Sequence, residues 1–415
     1  MVKVKLNEIK LDKKYYPRRS NGTFELDQET VNNYKLNLDS LPPIAIGKDY
    51  TLIDGYHRYL AHRDSGRDEI AVEILDINPE DYLTEAIRRN SIHGLQLTRK
   101  QKIYWANELC RDGKQLTDIA RLLAVSKDTL EDWTRETRKE RRKERDERIM
   151  ELYLACWSEE EIGELMGLAR RTTSDIISGG KEEITPNLPS FPASLQPYTL
   201  LQFRSCDDRY GREYPGRMPG QVIEHLLWYY TEPFDIVLDP MAGSGTTVDV
   251  CKAMYRRYQA YDKKKDESKN IQYNDLILQG TPCKPYFRPK LVILDPPYSS
   301  QTKGAYSKDD TDFGNMPLDI FYHNIEKIIK DCTELLIDGG YLAFIIGPSQ
   351  VKRVIYDHVF TVKSYLDKYL KYEMRFIVPY TTQQVSGADV KQAQAGKYPL
   401  KLHRDLLVYK KCKTE

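Results

Sequence analysis

Residues 234–247 read FDIVLDPMAGSGTT, an apolar run that ends in an aspartate and continues into a glycine-containing turn. The helical stretch VDVCKAMYRRY follows directly, so the local order is strand, turn and helix. Gly243 and Gly245 let the backbone come close to a ligand, and the amino end of the helix offers free N–H groups to a carboxylate or phosphate. The spacing differs from the dinucleotide pattern GxGxxG, and the P-loop lysine is missing. Asp239, at the strand end, suits a ligand with a positive amino group.

Apolar strand runs alternate with amphipathic helical runs on both sides of this stretch, from residue 201 to the end of the chain. This alternation predicts an α/β domain with a doubly wound, mostly parallel sheet, whose ligands bind at the carboxyl ends of the strands. The strand runs are FDIVLD, YQAYD, PKLVILD, YLAFIIG, MRFIVPY and DLLVYKK.

Further polar residues follow the next strand ends. Asp262 ends the run YQAYD, where an acid accepts both hydroxyls of a ribose, and Asn274 and Asp275 are placed to pair with an adenine edge. Each residue alone is weak evidence, because a solvated acid at a strand end is common.

The tetrapeptide DPPY, residues 295–298, follows the strand run KLVIL. It therefore lies at the sheet edge where open α/β sheets bind ligands, 56 residues after Asp239. Two consecutive prolines have no N–H to donate and hold an extended backbone, which leaves their carbonyl groups as acceptors.

The glycine loop paired with DPPY resembles the amino-methyltransferases that use S-adenosylmethionine, most closely the DNA N6-adenine and N4-cytosine family. The resemblance covers about residues 201–411. It includes the lead-in segment before the loop, PGRMPGQVIEHLLWYYTEP at residues 215–233. It implies a Rossmann-like methyltransferase fold with S-adenosylmethionine as cofactor. The cofactor-binding residues that it implies are Pro219, Gln221, Asp239, Pro240, Gly243, Gly245, Thr246, Asp262, Asn274 and Asp275.

The same resemblance implies that Asp295, Pro296, Pro297 and Tyr298 form the catalytic site. An exocyclic amino group is a poor nucleophile, because its lone pair is delocalised into the ring. Asp295 and the carbonyl of Pro296 would accept its two N–H bonds and turn the lone pair toward the methyl donor. Tyr298 would stack on a base flipped out of double-stranded DNA, worth about 1–3 kcal/mol. N6 of adenine is the expected target, with N4 of cytosine as the alternative and RNA as a less favoured substrate.

The order of the motifs departs from the family pattern, because the loop type found here normally follows the catalytic motif. The short interval between Asp262 and Asp295 also leaves no room for a target-recognition domain. Base recognition is therefore expected in the segments 299–315 or 381–403, or in the N-terminal half.

Two segments of the N-terminal half, 116–135 and 158–178, have the pattern of a helix–turn–helix. The first places Lys127 and Thr129, and the second Arg170 and Arg171, at the start of a helix that would face DNA. A plain helical hairpin is the alternative for both segments.

Residues 42–75, with PPIAIG, DGYHRYLAHRDSG and IAVEIL, resemble the N-terminal domain of the partition protein family ParB. The resemblance covers about residues 1–98 and implies contacts between Gly55, His57 and Arg58 and the phosphates of a nucleotide. Tyr-His stands where that family usually has Glu-Arg, which weakens an expectation of CTP hydrolysis, and a structural role for His57 is an equal alternative. A ParB-like regulatory or partition protein with a non-catalytic methyltransferase domain is therefore the second functional hypothesis.

The composition fits a globular chain of 415 residues with 63 basic and 62 acidic side chains. It contains no apolar run long enough to span a membrane and no secretory signal, and its seven cysteines show no metal-ligand spacing. We therefore expect a cytoplasmic protein without a metal site or membrane partner. The oligomeric state is open, with a homodimer as one candidate. The predicted parts are a ParB-like domain (1–98), a helical helix–turn–helix segment (99–180), a linker (181–200) and the methyltransferase domain (201–415).

The net charge of +1 conceals an uneven distribution. Residues 99–150 carry 15 basic and 11 acidic groups, and residues 363–415 carry 11 and 5, whereas residues 151–180 carry 2 and 6. The basic excess marks two predicted DNA-binding regions, and the acidic surroundings weaken the second helix–turn–helix.

Overall fold

The computed structural model describes residues 2–92, 95–187, 195–212, 217–284, 286–297, 313–351, 354–380 and 386–413. The chain forms two compact units, Met1–Arg145 and Asp146–Glu415. The boundary falls inside a helix, so the predicted helical segment 99–180 is divided between the two units.

The first unit contains a small mixed sheet followed by a helical cluster. Its elements are β1 Val2–Lys5, β2 Arg19–Ser20, β3 Thr23–Phe24, α1 Gln28–Lys35, β4 Ile44–Gly47, β5 Leu52–Asp54, α2 Tyr56–Asp64, β6 Glu69–Leu75, α3 Tyr82–Ile92, α4 Arg99–Arg111, α5 Leu116–Leu123, α6 Lys127–Trp133 and the first half of α7 Arg135–Leu154.

The sheet of the first unit has the strand order β1-β6-β4-β5, and only the β4–β6 pair is parallel. Helices α4, α5 and α6 share an apolar cluster that includes Trp105, Ile119 and Leu130. Between α5 and α6 the chain turns through Ala124, at a φ of 51°, and the Ser126 side chain caps α6. The predicted helix–turn–helix at 116–135 therefore has the expected local geometry.

The second unit is a larger α/β domain preceded by a helical pair. Its elements are α8 Glu159–Met166, α9 Arg170–Ile184, α10 Gly220–Tyr230, β7 Ile236–Asp239, α11 Thr246–Ala253, β8 Arg257–Asp262, β9 Ile271–Tyr273, α12 Leu276–Gln279, β10 Leu291–Leu294, α13 Leu318–Leu335, β11 Tyr341–Ile346, β12 Ser349–Val351, β13 Val354–Tyr356, α14 His358–Tyr369, β14 Lys371–Pro379, α15 Gly387–Gly396 and β15 His403–Lys410.

Seven strands of this unit form one sheet in the order β14-β15-β11-β10-β7-β8-β9. Strands β7 to β11 pair in parallel, whereas β15 runs antiparallel to both β11 and β14. The α/β prediction is thus confirmed as a Rossmann-like, mostly parallel sheet. The run DLLVYKK departs from the predicted parallel order, because a long connection that contains α15 returns β15 between β11 and β14.

Helices cover both faces of the sheet, because each buried strand presents alternate residues to opposite sides. Val237, Leu291 and Ile293 contribute to the core on one face, and Val292 and Leu294 to the core on the other. The sheet is therefore the middle of three layers, with helices packed on each face.

The helical pair α8–α9 lies in the second compact unit, whereas the sequence prediction grouped it with the preceding helices. Leu154 and Ala155 join the core on the α10 side of the sheet, and Arg257 of β8 donates from Nε to the carbonyl of Tyr153 at 3.0 Å. Helix α9 continues to Ile184, into the predicted linker, and Leu201 donates to the carbonyl of Ile377 at 2.9 Å at the linker's other end. The apolar residues at the end of α7 explain this arrangement, because they need the sheet unit to be buried.

Candidate active site

Three aspartates follow neighbouring strands at one edge of the large sheet. Asp239 ends β7, Asp262 ends β8 and Asp295 follows β10 directly. Because β7 pairs in parallel with both β8 and β10, the three carboxyl groups lie at the same edge. The sequence prediction placed the site at this edge.

The glycine loop connects β7 to α11 and is folded against Asp262. Pro240 begins the turn and is buried, and Gly243, at a φ of 49°, donates its N–H to Oδ2 of Asp262 at 2.9 Å. Gly245 stands before α11 at a φ of 78°, where a Cβ atom would lie 2.4 Å from Cδ of Lys269. Glycine therefore provides both the left-handed turn and the close approach to the neighbouring chain.

Burial shifts the pKa of two of these carboxyl groups. Burial, helped by the charges of Asp295 and Asp262, raises the pKa of Asp239 to about 7, against the opposing effect of hydrogen bonds from Thr247 and the N–H of Met241. Burial raises the pKa of Asp295 to about 6, against the opposing effect of Arg404. A cation bound at this edge would be attracted by both carboxylates.

The predicted ribose and adenine residues are already hydrogen-bonded within the domain. Asp262 also accepts the N–H of Lys264 at 2.9 Å, so each of its two oxygens receives one bond and keeps capacity for another. Asn274 is buried and donates to the carbonyl of Gly280 at 3.1 Å. Asp275 caps α12 and lies 3.1 Å from Nζ of Lys263. The three residues line the β8–β9 side of the site, and their ligand roles stay predictions.

The lead-in segment contributes two polar atoms with unused bonding capacity. Pro219 stands before α10, and in the next turn Oε1 of Gln221 is buried without a hydrogen-bond partner in the described part of the chain. Nε of Arg217 is also buried without a hydrogen-bond partner among the described residues, although its Nη2 donates to two backbone carbonyls. Such atoms are costly when buried unpaired, so a ligand with one donor and one anionic group fits them.

Arg217 also lies close to the loop that the sequence singled out. A Cβ on Gly211 would stand 2.4 Å from Oγ1 of Thr246, 3.1 Å from Oγ of Ser244 and 3.3 Å from Nε of Arg217. These polar atoms therefore surround one small volume, and an amino-acid end with ammonium and carboxylate groups matches their chemistry. Sequence reasoning missed Arg217, although its place in PGRMPGQ, two residues before Pro219, was the available signal.

On the other side of β7, Asp295 and Pro296 continue directly from β10, and Pro296 is buried. Pro297 follows, and Tyr298, the predicted stacking residue, lies outside the described residues. The ring of Tyr380, at the end of β14, lies 5.0 Å from the Arg404 guanidinium, and the charge of Asp295 contributes to raising the pKa of Tyr380. Tyr380 and Arg404 are thus neighbours of Asp295 that the sequence did not identify.

The predicted DNA-contacting residues stand on two differently charged helices. Lys127 is exposed at the start of α6, but the same short helix carries Asp128, Glu131 and Asp132. Thr129 is half-buried and bonds to Ser126.

Helix α9 of the second unit presents a basic start. Arg170 and Arg171 are both exposed there, and Arg170 lies 4.0 Å from Glu159. Helix α8 ends at Gly167, at a φ of 64°, so α8 and α9 also have the local geometry of a helix–turn–helix.

In the first unit, the candidate phosphate contacts hold the domain together. Arg58 donates to the carbonyls of Pro42 and Pro43 and to Asp54, at distances between 2.7 and 3.0 Å. Nε2 of His57 accepts the N–H of Asp27 at 3.2 Å, and burial lowers the pKa of His57 to about 4. A Cβ on Gly55 would lie 2.6 Å from Ile44. These contacts favour the structural alternative, and a nucleotide role stays a prediction.

The described residues lack two other kinds of feature. They contain no group of three or more His, Cys, Asp or Glu side chains placed to hold a metal ion. No helix among them is long and apolar enough to cross a membrane.

Part of the chain is similar to known sequences. Residues 95–273 match the profile described as DNA methylase, a range that includes the glycine loop and ends before Asp295. The type II methyltransferase M.BglII, from Bacillus subtilis, is 34% identical over 105 residues, which are 25% of this chain and 28% of the relative. The match thus spans little more than a quarter of that relative's length.

Solved structures give similarity at low identity. A putative DNA modification methylase, TTHA0409 from Thermus thermophilus, is 14% identical, with a TM-score of 0.21. The match covers 30% of this chain and 47% of that one. The partitioning protein ParB from Caulobacter crescentus, complexed to the centromeric parS site, is 15% identical, with a TM-score of 0.26. The match covers 46% of this chain and 94% of that one. On the profile match and the curated relative, part of the chain is similar to the N6/N4 DNA methylase family.

Proposed function

We propose that this protein transfers a methyl group from S-adenosylmethionine to N6 of adenine in double-stranded DNA. One observation carries the proposal: the Asp-Pro-Pro segment and the glycine loop follow adjacent parallel strands, and Asp295 raises the pKa of Asp239. An amino-group acceptor site and a cofactor loop are therefore within electrostatic reach of each other.

The cofactor would lie along the β7–β8–β9 side. Gln221 and Arg217 would bind its amino-acid end, and Asp262, with Asn274 and Asp275, its nucleoside end. When bound, S-adenosylmethionine supplies an electrophilic methyl group on a positively charged sulfur. Asp239 and Asp295 favour that positive charge, because burial destabilises both carboxylates and the charges of Asp295 and Asp262 also act on Asp239.

The acceptor amino group would bind on the Asp295 side. The carboxylate of Asp295 and the carbonyl of Pro296 each accept one N–H, which directs the nitrogen lone pair toward the methyl carbon. Transfer would leave the donor sulfur uncharged, and the methylated nitrogen would then lose one proton. Asp295, with a pKa of about 6, is a suitable first acceptor for that proton.

DNA would approach the second unit through helix α9. Arg170 and Arg171 stand exposed at the start of α9, within the unit that carries Asp295. The acidic residues of α6 make that helix a weaker phosphate contact, so we propose a secondary role for Lys127 and Thr129. The segments 299–315 and 381–403, which the sequence favours for base recognition, lie partly outside the described residues. The cysteines form no disulfide in the described chain, which supports a reducing, cytoplasmic location.

Two alternatives remain distinguishable. N4 of cytosine presents the same amino-group chemistry to Asp295, so base identity needs a product analysis. A regulatory protein with a non-catalytic domain would bind DNA and cofactor without transfer, and the nucleotide site predicted near Arg58 belongs to that alternative.

Transfer of a labelled methyl group to unmethylated plasmid DNA tests the proposal. After digestion, the labelled nucleoside should be N6-methyldeoxyadenosine, and Asp295→Ala should lower the rate at least about a hundredfold, the scale of losing an oriented acceptor. Asp338→Ala changes a carboxylate in the turn before β11 and should retain activity. Full activity of Asp295→Ala would refute the mechanism, and a labelled N4-methyldeoxycytidine would refute the base assignment.

A further inference from the structure

A buried lysine near the acceptor site has no role in the proposed chemistry. Lys401 lies two residues before β15, and its Nζ atom is shielded from solvent. The described residues offer that ammonium group no hydrogen-bond partner. A buried cation without a partner costs several kcal/mol, so its retention calls for a ligand that compensates it.

Strand register places Lys401 on the acceptor side of the sheet edge. Leu294, the residue before Asp295, pairs with Phe344 of β11, and Ile346 pairs with Asp405 of β15. Because β15 is antiparallel to β11, its start lies beside the carboxyl ends of β10 and β11. Pro379, at the end of β14, pairs with His403, so β14 ends at the same edge. The glycine loop lies on the opposite side of β10, after β7.

A second cation lies beside it. Arg404 is buried, packs over the ring of Tyr380 and lowers the pKa of Asp295. The charge of Arg404 also acts on Lys401, and the charge of Lys401 acts on His358, a fully buried ring bonded to Ser349 and Tyr322. Positive charge thus accumulates at the edge where the acceptor base would enter, and the charge that acts on Lys401 from the described chain is that of Arg404.

We propose that Lys401 binds a backbone phosphate of the target nucleotide when its base occupies the Asp295 site. This inference rests on the proposed DNA methyltransferase function and adds a positioning residue to it. The base that Asp295 would hold is joined through its deoxyribose to backbone phosphates, and a lysine ammonium is a compact point charge suited to one phosphate oxygen. The cofactor carboxylate is a poorer candidate, because Arg217 and Thr246 lie on the β7 side of the sheet.

The test compares Lys401→Met and Lys401→Arg with Lys330→Met, which removes an exposed lysine from α13. With plasmid DNA as substrate, Lys401→Met should raise KM for DNA about tenfold and change kcat less than about twofold. The slope of log(kcat/KM) against log salt should fall by about one, since one phosphate contact is lost. Lys401→Arg should restore most of KM, and Lys330→Met should match the wild type.

Measurements of thermal stability and of equilibrium DNA binding distinguish a failure of this inference from a failure of the proposed function. Thermal unfolding of Lys401→Met should occur at the wild-type temperature or higher, because an unpaired buried charge is removed. A KM and salt slope equal to those of Lys330→Met would overturn the inference while leaving the proposed function intact. If the wild type methylates no DNA, the proposed function fails. The salt dependence of Kd for a labelled duplex then tests Lys401 by itself. An equal slope for Lys401→Met and the wild type would overturn the phosphate contact.

Discussion

Asp295, the proposed acceptor of the target amino group, lies in an unfavourable environment for its charge. Burial raises its pKa from the ordinary 3.8 to about 6, so the folded chain holds the proton more tightly than the unfolded chain. The folded state therefore loses stability as the pH rises from about 4 to about 6, by about 3 kcal/mol for a two-unit shift. This cost is consistent with a residue kept for function.

We expect Asp295 to set an acid limb in the pH profile. Below about pH 6 the protonated side chain accepts N–H bonds poorly, so kcat/KM for DNA should fall about tenfold per pH unit. Asp295→Asn keeps one acceptor oxygen and should show reduced but measurable activity without that limb, together with greater stability at pH 7.5, on the order of 1–3 kcal/mol. An unchanged acid limb in Asp295→Asn would assign the titration to another group.

Asp239 makes a separate prediction about cofactor binding. Its pKa of about 7 means that it loses its proton between pH 6 and pH 8, and a positively charged sulfur favours the deprotonated form. The Kd for S-adenosylmethionine, measured by calorimetry, should therefore fall several-fold from pH 6 to pH 8. S-adenosylhomocysteine has an uncharged sulfur and is the matched control, which should change less. Equal pH dependence for both ligands would contradict this electrostatic role.

At the scale of elements, the strand–turn–helix unit of β7 and α11 was predictable, because apolar patterning and glycine chemistry act locally. The residues that surround the glycine loop and Asp295 were less predictable. Gln221 and Arg217 have unpaired buried atoms only because the lead-in segment folds back against the loop. Tyr380 and Arg404 meet Asp295 through the antiparallel insertion of β15, and a sequence pattern does not reveal this long-range pairing. Helix patterns alone likewise do not show that α8 and α9 belong with the sheet.

The two helix–turn–helix elements should differ in DNA binding. Replacing Arg170 and Arg171 by alanine removes two exposed cations and should reduce the slope of log Kd against log salt by about two. Lys127→Ala should have less effect, because three acids on α6 already oppose phosphate contact. Lys330→Ala serves as the charge control. Equal slopes for the double variant and the control would exclude α9 from the DNA interface.

At the scale of the whole molecule, the main revision concerns the domain boundary. The sequence suggested a division near residue 180, where prolines begin to cluster, whereas the compact units divide between residues 145 and 146. The difference arises because proline marks a local chain property, while unit membership depends on which core buries a side chain. Tyr153 shows this: its carbonyl accepts from Arg257, and its ring packs under the Arg257 guanidinium at 4.1 Å.

Two fragments should therefore behave differently. Residues 135–415, which keep α7 whole, should fold and bind S-adenosylmethionine with wild-type affinity, since the described cofactor candidates lie between residues 217 and 275. Residues 181–415 lack α8, most of α9 and the apolar end of α7, so Arg257 loses its partner and Leu154 and Ala155 no longer cover the core. Loss of two or three buried apolar side chains costs about 3–6 kcal/mol, comparable with the stability of a domain. The shorter fragment should aggregate or unfold at least about 10 °C lower in circular dichroism, and equal melting of the two fragments would restore the boundary at residue 180.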